Sequence, residues 1–180
     1  MNTRDFVTAE IGKTVAVMQA ILADGALLET VDRVAALCAD AIGRGNKIMF
    51  CGNGGSAADS QHLAAELVGK FVLPRPAMAG LALTTDTSAL TAIGNDFGYE
   101  FVFSRQVEGL GRPGDVLVGI STSGRSANVV RAFESARTLG IRTVAMTGNR
   151  RGPIAELADE WIAVPHSDTA KIQEGHIVLG

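Results

Sequence analysis

The strongest constraint in this chain is a repeated grammar that begins after Gly45. Short apolar strands each end in a Gly, Ser or Thr loop, and each loop opens into a helical pattern. Strands are expected at Lys47 to Cys51, Gly80 to Leu83, Asp115 to Ile120, Arg142 to Ala145 and Glu160 to Val164. Helices are expected from about Ala57 to Gly69, near Ser88 to Ile93, and from about Ala127 to Leu139. Parallel neighbours need a crossover, usually a helix, so this alternation predicts an α/β fold with a doubly wound, five-stranded parallel sheet flanked by helices. Upstream, Asp5 to Arg44 carries apolar residues at helical spacing, interrupted near Asp24-Gly25, which predicts an N-terminal helical hairpin. Residues 1–180 are expected to form one domain, 1–44 as N-terminal helices and 45–180 as the α/β core.

Composition narrows the function. Sixteen Lys and Arg against nineteen Asp and Glu leave a net charge of −3, without a long run of either sign. A nucleic-acid groove or polybasic membrane patch would need such a footprint, so neither partner is expected. The apolar stretches read as too short for a spanning helix, and the start lacks a signal peptide's basic-then-apolar order, which points to a soluble, cytoplasmic chain. Cys38 and Cys51 have neither metal-type spacing nor a small-protein disulfide framework and are expected to be buried thiols.

In open α/β sheets, ligands bind beyond the carboxyl ends of the strands, where helix N-termini offer free N–H groups. Ser121-Thr122-Ser123-Gly124-Arg125-Ser126 places four hydroxyls at one such start, more than a cap requires, and predicts a phosphate site. Gly52-Asn53-Gly54-Gly55-Ser56 is the second ligand loop, and Ser56-Ala57-Ala58-Asp59 also fits a capping box. Gly52, Gly54 and Ala57 satisfy a dinucleotide pattern too, but the first acid after the second strand, Asp86, lies beyond the spacing that fold uses. His62 and Glu66 share one helical face and could bind a divalent metal or act as acid and base; a surface pair would be the simpler reading without context, but the helix starts at a ligand loop, which favours the functional one. Asn95-Asp96 reads equally as a turn pair or a clamp on sugar hydroxyls, and Gln173 and His176 lie three apart on a final helix.

Taken in order, Cys51 to Ser56, His62 with Glu66, Gly94-Asn95-Asp96, Ser121 to Gly124 with Ser126, and Ile172 to His176 resemble the phosphoheptose isomerases of the sugar isomerase (SIS) fold. The resemblance implies conversion of sedoheptulose 7-phosphate to D-glycero-D-manno-heptose 7-phosphate, by a cytoplasmic homotetramer with active sites at subunit interfaces. It implies that Ser121, Thr122, Ser123 and Ser126 hold phosphate. Asn53, Gly54, Gly55, Ser56, Asn95 and Asp96 would position the sugar. His62, Glu66 and Gln173 match zinc ligands of the family, and Glu66 matches its catalytic base, with Gln173 also at the substrate. The family's fourth ligand, a histidine, falls one residue past Gly180; the final helix is expected to be cut short there, and His176 is not its replacement. The alternative is a non-catalytic SIS protein that binds sugar phosphate or a replication initiator, and the carboxylate of Glu66 argues for the enzyme.

Overall fold

A computed structural model describes residues 2–180. Two helices lead the chain, α1 (Thr3–Ala23) and α2 (Gly25–Gly43), separated only by Asp24, whose side chain accepts from Leu27 N and starts the second helix. The core then runs β1 (Ile48–Gly52), α3 (Gly55–Val68), β2 (Gly80–Ala82), α4 (Thr87–Asp96), a 3-10 turn at Tyr99–Phe101 and α5 (Ser104–Leu110). It continues with β3 (Val116–Ile120), α6 (Ala127–Thr138), β4 (Arg142–Gly148), α7 (Pro153–Leu157), β5 (Glu160–Val164) and α8 (Thr169–Leu179).

All five strands are parallel, in the order β2-β1-β3-β4-β5. The expected doubly wound sheet is therefore present, with α5 and α7 as helices that the sequence reading left unassigned. Alternate residues of each strand feed opposite layers, as the period of two requires. Ile48, Phe50, Val116, Val118, Val144 and Met146 pack beneath α2, α3 and α8, with α1 laid against α2 and α8, whereas Met49, Cys51, Leu117 and Ala145 pack against α5, α6 and α7. Gly119 permits the second packing, because a Cβ there would lie 2.4 Å from Phe133 Cε1.

The N-terminal helix departs from expectation in one respect. α1 is 21 residues long and, by length and composition, apolar enough to cross a membrane, although only 11% of its apolar window is buried. The apolar-run reading missed this because Glu10 and Lys13 interrupt the run without lowering its mean enough. Those charges have local work: Glu10 pairs with Lys13 and with Lys171 of α8, while Thr14 Oγ1 donates to Glu174 at 2.7 Å. Val17 and Ile21 are buried on the side of α1 that meets α2 and α8, but Phe6, Ile11 and Val15 are left about half exposed.

Cys38 and Cys51 are both free, and burial pushes their thiols up, to about 11 and about 12.

Candidate active site

The strand order reverses direction between β1 and β3, so the loops after these two neighbours open a crevice at the carboxyl edge of the sheet. The β1 loop turns sharply into α3. Gly52 must be glycine, since a Cβ would sit 2.7 Å from Ser56 O and 2.9 Å from Ile120 O. Gly54, the N-cap of α3, has φ +58°, a conformation that favours glycine, and no side chain caps this helix. The expected capping box is absent, because the helix starts one residue ahead of Ser56 and leaves that residue buried inside the first turn.

In the β3 loop, Gly124 takes φ +65° and its N–H closes a turn onto Ser121 O. Ser126 is the N-cap of α6, yet its hydroxyl caps nothing; it lies 2.9 Å from Ser121 Oγ. Ser123 Oγ lies 3.5 Å from the same atom and accepts from Arg125 N. Three hydroxyls thus face one another over a helix N-terminus whose first N–H groups have no side-chain partner, an arrangement that suits a phosphate's oxygens and charge. Thr122 is tied to the next strand instead, its carbonyl accepting from Gly148 N.

The two loops are joined by a residue that the sequence reading missed. Asn128 on α6 is buried, and its amide pairs with Asn53 by two hydrogen bonds of 2.8 and 2.9 Å. Tyr99 donates its hydroxyl to Asn53 Oδ1 at 3.1 Å. An Asn two residues after the N-cap of a hydroxyl-rich loop was the available signal for the first, and nothing local marked the second. Asn95 and Asp96 end α4, exposed and hydrogen-bonded to each other at 2.8 Å.

Gln173 comes to the β1 loop from α8, close enough that a Cβ on Gly55 would overlap its amide. His176, three residues later, is buried with neither ring nitrogen in a hydrogen bond. His62 and Glu66 lie elsewhere. Glu66 is eleven residues past Gly55, about 16 Å along the helix axis at 1.5 Å per residue. There α3 packs against the amino edge of the sheet, where Gly80 meets Ala64 and Leu67 and pairs with Ile48 at the head of β1. His62 Nε2 and Glu66 Oε1 are 3.5 Å apart at the rim of an apolar groove of about 740 Å³, lined by Val34, Cys38, Leu63, Leu67, Phe71 and others.

This spacing suits two donors on one cation. Gln173 stands at the other end of α3, so one chain does not gather all three proposed ligands. Among the described residues, no cluster of three His, Cys, Asp or Glu side chains is formed either.

The chain is a doubly wound sheet with a hydroxyl-lined loop at its switch point, and residues 12–148 match the SIS domain family. The chain is 65% identical over 150 residues to a phosphoheptose isomerase of Akkermansia muciniphila, spanning 83% of this chain and 79% of that one. To a phosphoheptose isomerase of Burkholderia pseudomallei it is 54% identical, over 97% and 89% of the two chains. The solved phosphoheptose isomerase of Neisseria gonorrhoeae superposes with a TM-score of 0.92 at 46% identity, covering 99% of this chain and 94% of that one. This chain belongs to the phosphoheptose isomerase family of SIS domains, and it is an aldose–ketose isomerase for a sugar phosphate.

Proposed function

We propose that the chain converts sedoheptulose 7-phosphate to D-glycero-D-manno-heptose 7-phosphate in the cytoplasm, the entry step to nucleotide-activated heptose for lipopolysaccharide or capsule. The observation that carries the substrate class is the Ser126 hydroxyl, which turns from its own helix to join Ser121 and Ser123. Phosphate binds there, with Thr122 in the same loop. Asn53, Gly54, Gly55 and Ser56 face the sugar from the β1 loop, joined by Gln173, while Asn95 and Asp96 approach from the end of α4.

Glu66 is the base. Its carboxylate takes a proton from C1 of the ketose, the carbonyl oxygen at C2 gains a proton, and an enediol forms. Return of the carbon-bound proton to C2 and loss of the O1 proton then yield the aldehyde. The Glu66 carboxylate lies at the opposite edge of the sheet from the phosphate loop of its own chain, which supports a site built from more than one subunit. A homotetramer meets that need. The uncovered apolar groove beside Glu66 and the exposed apolar residues of α1 support the same reading. His62 and Glu66 would hold zinc, with Gln173 outside their reach within one chain, and the bound ion would supply Lewis-acid polarisation of the substrate carbonyl.

Turnover of sedoheptulose 7-phosphate, assayed with added zinc and with chelator in parallel, tests the proposal. Activity that chelator abolishes and zinc restores supports both reaction and metal; activity indifferent to chelator removes zinc. Absence of turnover, with sugar phosphate still bound, would favour the non-catalytic reading.

A further inference from the structure

The Asn53–Asn128 pair has a chemistry that the binding loops alone do not explain. A primary amide offers two N–H donors and one oxygen with two lone pairs. Asn53 Oδ1 accepts from both Asn128 Nδ2 at 2.8 Å and the Tyr99 hydroxyl at 3.1 Å, which fills it. Asn53 Nδ2 donates one proton to Asn128 Oδ1 at 2.9 Å. A single N–H of Asn53 is therefore left over.

The pair is not needed to close the β1 loop. The Asn53 backbone carbonyl already accepts from Ser56 N, and Leu83 N is held by Phe50 O at the adjoining strand end. Nor is Asn128 placed to meet a substrate, since it is 3% exposed and its amide is engaged with Asn53. A polar side chain buried this deeply must have its partner, and its partner belongs to the β1 loop that borders the crevice.

We propose that Asn128 is a positioning residue for the isomerisation: it locks the Asn53 amide across the β1–β3 crevice, so that Asn53 meets the sugar only as a donor, to a carbonyl or hydroxyl oxygen. Because Asn128 sits in the first turn of α6, the lock also sets the separation between the phosphate at the Ser121–Ser126 loop and the sugar oxygen at Asn53. The inference rests on the reading that Asn53 contacts the sugar.

The test is a double-mutant cycle on the full chain, with Asn128→Ala, Asn53→Ala and the pair. Each is read by kcat and KM for sedoheptulose 7-phosphate, by the inhibition constant of inorganic phosphate, and by thermal midpoint. Asn128→Ala should lower kcat by about 10- to 100-fold, as a misplaced reacting geometry does, with the phosphate constant within about twofold of the parent. The double variant should be no worse than Asn53→Ala. Asn128→Ser keeps a hydroxyl donor for Asn53 Oδ1 and should recover part of the rate; it also stands in if the alanine variant does not fold. Losses that add, parent-like kcat in Asn128→Ala beside a damaged Asn53→Ala, or phosphate binding that weakens in step with kcat would each overturn the positioning role. Parent-like turnover in Asn53→Ala would instead remove the reading on which it rests.

Discussion

Two side chains show how far a residue's identity falls short of its role. Ser126 occupies an N-cap position, where serine normally bonds its own helix, yet its hydroxyl faces Ser121. Ser126→Ala should therefore leave the thermal midpoint nearly unchanged while raising KM about 10-fold or more, the cost of one hydrogen bond to a charged phosphate. A midpoint that drops without a change in KM would show an ordinary cap. His176 reads in sequence as a second polar group on a site-facing helix, but it is buried with neither ring nitrogen hydrogen-bonded. Burial holds its pKa below the ordinary 6.5. The unfolded chain then takes up the proton first as pH falls, so stability is full above about 6.5 and is lost progressively below it. The thermal midpoint should fall between about pH 7 and pH 5.5, and His176→Met should flatten that slope. An unchanged slope in the variant would exclude His176 as the source.

At the scale of elements, period and punctuation located every strand, most plainly β1 and β3, which are buried on both faces and so read as unbroken apolar runs. β4 runs on to Gly148, past its expected end at Ala145, because β5 supplies a pairing partner for each added residue. α5 and α7, seven and five residues long, are too short for a helical period to stand out. α5 is held by a buried Gln106 that donates to Leu83 O and Val102 O, bonds that no local pattern announces. The first ligand turn was legible as glycines, but the reason for Gly52 is a backbone approach from another strand. Gly52→Ala must push Ser56 or Ile120 backbone aside, at a cost of about 1–3 kcal/mol, with loss of activity because the β1 loop moves. Urea unfolding alongside turnover would check both effects; parent values for both would mean that the loop tolerates the shift.

On the scale of the whole molecule, the decisive fact is that α3 carries Glu66 to the far edge of the sheet from the Ser121–Ser126 loop. Glu66→Gln should cut turnover by about 100-fold or more, and near-normal turnover would rule Glu66 out as base. If each site joins Glu66 of one subunit to Ser121 of another, mixing an inactive Glu66→Gln chain with an inactive Ser121→Ala chain should restore about a quarter of the parent activity. No recovery after subunit exchange would mean that both residues serve from the same chain. The ordered motifs determined fold class, family and the residue types at the loops, because hydrophobic period and glycine placement are local properties that survive without a structure. Which of those residues meet was decided only in three dimensions. Helix rise separates Glu66 from Gly55, strand order brings Asn53 to Asn128 across 75 residues, and burial turns His176 inward. Each depends on how elements distant in sequence pack, which no local spacing records.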